Sequence, residues 1–365
     1  MALTFSFVSP DDEGFGGVWE RRLGGLNPEC SMAHLQVLMA CEPHKEHYFV
    51  LGTNPRHDVV AVAYLAIQSV NALGLKWRVL TLGGSIGADA LWFDAETEQY
   101  ADVVRGLLEF ARKRIKHSLV VLKPFDGSRD VECLGANENE LNFINVYGTT
   151  QADVDLVGLE TYDAYLARLE KKKRYYLRKV EKDADLAGLA IEVTPAFVDL
   201  VPVLYPLFQS VSERANEVKD LDPLPIQYLD CLARLRSLNT QAVIVRAGDR
   251  IVGFLVLVEN GSVLGCGLCG MDHSVSRAYN TWYLLMVQAI KYGILSKKRR
   301  VILGTTNFSM KRKLGARRYD LWVSLRFSSR LLTLALAPVI RMWLRKHLFI
   351  RAAAQEEVAG AEAVG

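Results

Sequence analysis

Residues 249–295 read DRIVGFLVLVENGSVLGCGLCGMDHSVSRAYNTWYLLMVQAIKYGIL. Arg250 to Glu259 is an apolar run rich in Val, Ile and Leu, the composition of a buried strand. Asn260-Gly261 follows, the strongest short hairpin signal, and Ser262 to Gly270 reads as a second strand of small and apolar residues. Trp282, Leu285, Met286, Ala289 and Ile290 then recur at helical spacing up to a stop at Gly293. Val301-Ile302-Leu303 starts another strand. A helix that crosses over between two strands usually leaves them as parallel neighbours, so this stretch predicts hairpin, helix, parallel strand.

The same order occurs once before. Val59–Gln68 and Val79–Gly84 read as strands, and Gln99–Arg114 as a helix with Val103, Leu107, Leu108 and Ala111 on one face. Leu119–Leu122 reads as the next strand. From Val79 to Leu119 is 40 residues, and from Val263 to Leu303 is also 40. Like elements at equal spacing predict an internal duplication. The turn-rich stretch 123–160 places the boundary between the halves near 150–160. Residues 161–187 predict one charged helix capped by Thr161, with Tyr165, Leu169, Tyr176 and Val180 as its apolar stripe. Eight basic residues and two acids lie between Arg168 and Lys182, a pattern suited to a solvated face or to an anionic group. Pro202 and Pro206 predict a kink or split in the helix that follows Pro195.

Length and composition fit two domains with ample core, since 365 residues are 50% hydrophobic. Net charge is only +3, but it is unevenly placed. Ser296 to Arg351 holds fifteen Lys and Arg against the single acid Asp320, a net +14, which leaves −11 for the remainder. A basic surface favours an anionic partner. Six Cys in a chain this long fit a reducing compartment better than a disulfide framework. The stretch MALTFSFVSPDDEG has neither the basic nor the apolar region of a secretory signal. Leu331–Ile340 is the most membrane-like stretch, but spanning a bilayer takes about 20 residues. The expected location is therefore cytoplasmic, peripheral on the inner face of the cell membrane. Arg330–Arg351 is expected to form an amphipathic helix on anionic lipid, with Leu332, Leu336, Val339 and Trp343 toward the acyl boundary. Residues 352–365, AAAQEEVAGAEAVG, are expected to be a disordered tail.

At the end of the strand that starts at Val301 comes Asn307-Phe308-Ser309-Met310-Lys311-Arg312-Lys313-Leu314-Gly315-Ala316, and Leu321–Phe327 reads as a closing strand after it. With the hairpin–helix–strand order before it, this stretch resembles the acyl-transfer core of the GNAT superfamily, in its FemAB-like branch, which includes the BioF-like acetyltransferases. In ordinary GNAT enzymes an Asn ends the strand and a Tyr lies four residues before a Gly-aromatic pair. Here Asn307 takes the Asn place, Lys311 the Tyr place, and Gly315-Ala316 the Gly-aromatic place. The resemblance covers residues 160–325 well and the first half more loosely. It implies an α/β fold (an α+β mixed sheet) of tandem GNAT-like halves. The first, 1–155, would lack its own cofactor, and 156–328 would be the acyltransferase half. The helix 329–351 and the tail 352–365 would follow.

The resemblance also implies a chemistry. Acyl transfer from a thioester needs a cradle for the donor, stabilisation of an oxyanion, and a proton for the departing thiolate. Acyl-CoA is the implied co-substrate, its pantetheine arm on the exposed edge of Gly265–Asp272, against Gly267, Leu268, Cys269 and Gly270. Its pyrophosphate would meet the start of the following helix, where unpaired amides and the dipole favour anions. Arg277 and Asn280 stand there, with Asn307 at the end of the neighbouring strand. The two Gly places of the family are filled by Asn280 and Trp282, which leaves aminoacyl-tRNA as an alternative donor. Lys311 is the expected proton donor or thiolate partner. Asp272-His273, between strand and helix, could deprotonate an amine or hydroxyl of an amino sugar, an envelope polysaccharide precursor or an amino acid. Cys266, Cys269 and His273 do not predict a zinc site: no second Cys pair stands at ligand spacing, and strand alternation puts the two Cys on opposite faces. No metal and no DNA are expected. A catalytically degenerate pair that binds a membrane surface is the non-enzymatic alternative.

Overall fold

A computed structural model describes residues 3–24, 30–72, 75–82, 91–216, 224–235, 237, 239–305, 308–340 and 342. In chain order its strands are β1 (Thr4–Val8), β2 (Glu46–Thr53), β3 (Val59–Ala72), β4 (Leu75–Leu82), β5 (Leu91–Phe93), β6 (Leu119–Asp126), β7 (Ile144–Asp155), β8 (Leu189–Thr194), β9 (Thr240–Ala247), β10 (Arg250–Asn260), β11 (Val263–Met271), β12 (Arg300–Ile302) and β13 (Arg317–Phe327). The helices are α1 (Phe15–Trp19), α2 (Met32–Cys41), α3 (Tyr100–Arg114), α4 (Val131–Asn139), α5 (Tyr162–Arg168), α6 (Lys171–Leu186), α7 (Val201–Asn216), α8 (Ile226–Arg234), α9 (Thr281–Leu295) and α10 (Phe308–Lys313). A further helix, α11, covers 330–340.

The chain forms two compact units. The first is Met1–Thr150 together with the chain from Tyr319, and the second is Gln151–Arg318. The division at 150/151 falls within the expected 150–160, while the one at 318/319 comes ten residues before the expected 328/329, because strands are exchanged. β13, the last strand of the second half of the sequence, pairs antiparallel with β6, Leu321 opposite Asp126 and Phe327 opposite Leu119. The end of β7 pairs antiparallel with β12, Asp155 opposite Arg300 and Asp153 opposite Ile302. Each unit's part of the sheet is thus completed by a strand from the other half of the sequence.

Within the units the expected duplication is plain. In the first, β1, β2, β3 and β4 run antiparallel in order, and β4 pairs parallel with β6 after the α3 crossover, Val79 opposite Leu119. In the second, β8, β9, β10 and β11 repeat that order, and β11 pairs parallel with β12 after α9, Val263 opposite Arg300. The β10–β11 turn is Gly261-Ser262, with Gly261 at φ +48°, one residue later than the Asn260-Gly261 signal.

β10 is buried along nearly its whole length because helices cover both faces. Gly253 lets α9 close in: a Cβ there would stand 2.4 Å from Thr281 Cγ2. Gly270 does the same for α7, whose backbone at Phe208 N would be 2.6 Å from a Cβ. Pro202 sits in the first turn of α7, where a missing N–H is tolerated, and Pro206 lies inside the helix. A short 3₁₀ turn, Val198–Leu200, precedes it. The single helix expected over 161–187 is two, α5 and α6, broken where Leu169 turns extended.

In α11, Leu332 and Val339 are exposed as expected and Leu336 is half-buried; Leu331, Leu334 and Met342 are exposed as well. Trp343 and the rest of the expected helix to 351, like the tail 352–365, lie outside the described residues. Among the described residues no helix is long and apolar enough to cross a membrane.

Candidate active site

In the second unit, β11 has one edge open. Its pairing with β12 covers Val263, Leu264 and Gly265 and stops there among the described residues. From Cys266 to Met271 the strand is held by β10 alone. The register against β10 also slips: Cys266 faces Leu257, but Cys269, three residues on, faces Leu255, two residues back. The bulge so formed holds Gly267 and Leu268, with Gly267 exposed and Leu268 buried. A one-residue slip moves every later side chain to the other face. Cys266 and Cys269 therefore share a face, not opposite faces as simple alternation requires. The ammonium of Lys311 acts on both thiols. Burial pushes each thiol up to about 12, against the downward pull of Lys311. The thiolate is the nucleophilic form, so neither cysteine is poised for attack at neutral pH. Among the described residues no group of three His, Cys, Asp or Glu gathers to hold a metal.

Lys311 itself is 2% exposed, while Arg312 and Lys313 beside it are in solvent. Its position is set by the end of α10. The Ala316 N–H donates to Lys311 O at 3.3 Å and the Gly315 N–H to Arg312 O at 3.1 Å, a Schellman ending with Gly315 at φ +69°. Tyr165 adds a clamp, its hydroxyl donating to Leu314 O at 2.5 Å. Across from the lysine is Gly304, where a Cβ would come within 3.9 Å of Lys311 Nζ. The ammonium is thereby held beside the turn that follows β12 and on the thiol side of β11. Asn307 lies outside the described residues.

Between β11 and α9 the chain makes successive turns. Asp272 Oδ1 accepts from the Ser274 N–H at 3.0 Å and the Ser274 hydroxyl at 2.6 Å, and Oδ2 pairs with Arg250. The Ser274 hydroxyl bond does most to lower this carboxyl's pKa, with the Ser274 amide and Arg250 adding to it against desolvation. Its place is that of a turn-holding group. His273 next to it is half-buried, and Arg277 is exposed. Asn280 is the N-cap of α9 at φ +50°, with no side-chain capping bond. The position of the family's first Gly is thus left-handed here, and Asn tolerates that region better than most residues. Asn280 Oδ1 instead accepts from the Tyr176 hydroxyl at 3.3 Å.

That bond leads to a cluster the sequence did not bring together. Tyr176 and Tyr283 meet edge-on at 5.0 Å, Trp282 meets Tyr283 at 5.1 Å, and Lys313 Nζ stands 4.8 Å from the centre of the Tyr176 ring. An aromatic corner topped by a cation therefore lies beside the start of α9. Tyr176 reads in sequence as one more apolar-stripe residue, and only the consecutive Tyr175-Tyr176 among lysines hinted otherwise. Asp153 was missed as well. It is 1% exposed, lies opposite Ile302, and its carboxylate is 3.5 Å from Arg300. Asp153 and Asp155 alternate along a mixed polar strand, a pattern that reads as a solvated edge and gives no sign that Asp153 is buried.

No protein-family model matches the sequence, and no curated protein matches it significantly. Solved structures do match in fold. FemX aligns over 88% of this chain and 96% of its own at a TM-score of 0.59 and 10% identity. A tandem GNAT protein from the clavulanic acid biosynthesis pathway covers 90% of this chain and 99% of its own, at 0.55 and 15%. L-PGS from Bacillus licheniformis covers 91% and 98%, at 0.53 and 14%. The chain shares with these structures a mixed α/β fold of two like halves, the fold of a tandem GNAT protein.

Proposed function

We propose that the second unit is an acyltransferase that moves an acyl group from acyl-CoA to an amine or hydroxyl. The proposed acceptor classes are an amino sugar, an envelope polysaccharide precursor or an amino acid. The observation that carries this reading is the open edge of β11 after Gly265 with a buried lysine on the same side. The residues present fit a CoA thioester. Among the described residues the backbone of Cys266–Met271 has no strand partner on the β12 side and so offers donors and acceptors to a pantetheine arm, Asn280 leaves the first amides of α9 without its side-chain cap, and Arg277 stands in solvent nearby. Bound there, acyl-CoA would supply an acyl group already activated as a thioester.

The chain's own part is electrostatic and acid–base. Lys311 presents a cation where negative charge develops on the carbonyl oxygen, and can hand a proton from Nζ to the leaving sulfur. His273 is the proposed base for the acceptor, and Asp272 holds the turn that carries it. A second reading keeps aminoacyl-tRNA as donor. It is favoured by Lys171, Lys172 and Lys173 in the first turn of α6, with no acid there to suit the dipole.

Thermal-shift titration of the purified chain separates the two. Acetyl-CoA, longer acyl-CoAs or free CoA should raise the melting temperature, since binding at 100 times Kd adds about 2.7 kcal/mol to stability. Arg277→Ala should weaken the effect by roughly 1.5–3 kcal/mol, the worth of one charge-assisted hydrogen bond. No shift with any CoA species rules out the acyl-CoA reading.

A further inference from the structure

α11 has its polarity reversed. Its one polar residue between 331 and 340, Thr333, is 2% exposed, whereas Leu331 is 80% exposed, Leu334 56%, Val339 53% and Met342 68%. The inward turn of Thr333 is fixed by hydrogen bonds. Its hydroxyl receives the Phe327 N–H at 3.1 Å and donates to Ser329 O at 3.0 Å, and the Ser329 hydroxyl caps Leu332 N at 3.3 Å. At helical spacing, residues 331, 334, 335, 338 and 342 fall on one continuous outward stripe with no polar side chain, and all are exposed. Isolated surface leucines are ordinary, but a contiguous apolar stripe marks an interaction surface.

The base of this helix adjoins a cationic pocket of about 240 Å³ in the same unit. Arg105, Arg112, Arg326 and Arg330 line it, with Glu109 as the one acid and Asn142 beside them. Arg105 is partly neutralised by Asp102. Arg112, Arg326 and Arg330 make no ion pair among the described residues. Arg326 donates to Leu141 O at 2.8 Å and lies over the Phe143 ring, which aims the group while leaving its charge uncompensated. Burial, and then the Arg112 guanidinium, disfavour its charged form, a tension that an anion would relieve. Four further basic residues, Arg341, Arg345, Lys346 and Arg351, follow in the sequence.

We infer that the first unit docks on an anionic phospholipid surface, with the outward stripe of α11 in the acyl boundary and a lipid phosphate in the Arg112–Arg326–Arg330 pocket. Apolar area meeting the acyl region and cations meeting headgroups at one depth is the arrangement interfacial helices use. This inference stands apart from the acyl-transfer reading, since its test needs no turnover.

The test is flotation of the full chain with vesicles of phosphatidylcholine alone and of phosphatidylcholine with phosphatidylglycerol. Binding is expected to the mixed vesicles only, weakening as salt rises. Leu331→Ser with Leu334→Ser and Met342→Ser should abolish it. Arg112→Ala with Arg330→Ala should weaken it roughly thirtyfold, at about 1 kcal/mol per basic residue. Unchanged melting temperatures of both variants show that the fold survives. Failure of the wild-type chain to float with mixed vesicles overturns the inference. So does full binding by the serine variant, or a pocket that takes inorganic phosphate in titration while vesicles stay unbound. Self-association through α11 in place of vesicle binding overturns it equally.

Discussion

In the proposed acyl transfer, Lys311 is the residue on which catalysis would turn. A buried cation on the thiol side of an open strand edge acts mainly on charge that develops during reaction. Removing such a group lowers turnover more than ground-state binding. Lys311→Met, which keeps the volume and deletes the charge, should cut single-turnover thioester consumption by roughly 10²–10³, the scale for one lost oxyanion donor. Binding of CoA should survive within several-fold. Lys311→Arg should rescue little if Nζ gives up a proton, because a guanidinium stays protonated. A Lys311→Met protein with full turnover removes this assignment. The position of Lys311 was legible in sequence from its spacing to Gly315-Ala316. Its burial was not, because Arg312, Lys313, Arg317 and Arg318 around it read as a surface. Asp153 and Tyr176 were illegible for a related reason, since their neighbours come from distant parts of the chain.

At the level of elements, the order hairpin, helix, parallel strand was readable in both halves, because apolar period and turn residues are local signals. The bulge at Gly267-Leu268 was not. Glycine in a strand allows a bulge without requiring one, and here the register of β10 decides it. The break between α5 and α6 was hidden likewise. It follows from a tertiary contact, since Leu169 lies against Gly315, where a Cβ would come within 2.4 Å of Leu169 Cδ2. Gly315→Ala meets both that contact and a left-handed φ, so it should destabilise the chain by about 1–2 kcal/mol. Because Gly315 ends the helix that carries Lys311, turnover should fall further than the lost stability explains. Urea unfolding and turnover measured on the same preparation check this. A loss of stability with unaltered turnover would detach the α10 ending from the chemistry.

For the whole molecule, the duplication was legible and the exchange of strands was not, since β7 and β13 carry no local mark of the sheet they join. The exchange has a consequence for folding. A fragment 1–155 lacks β13, the second partner of β6, and 156–365 lacks the end of β7, the second partner of β12. Unpaired strand edges and an incomplete core leave each fragment short of stability. Neither should unfold cooperatively alone, and co-expression should restore a single sharp transition. A sharp transition in either fragment by itself would mean that the exchanged strand is dispensable. The duplication also gives both units a parallel pair after a crossover helix, β4 with β6 and β11 with β12, yet among the described residues the open edge and Lys311 belong to the second. Hydrogen exchange with and without acetyl-CoA tests that placement most directly. Slower exchange is predicted in 266–271 and at the start of α9, with 75–82 and 119–126 unchanged. Protection confined to the first unit, or none at saturating acetyl-CoA, contradicts the account.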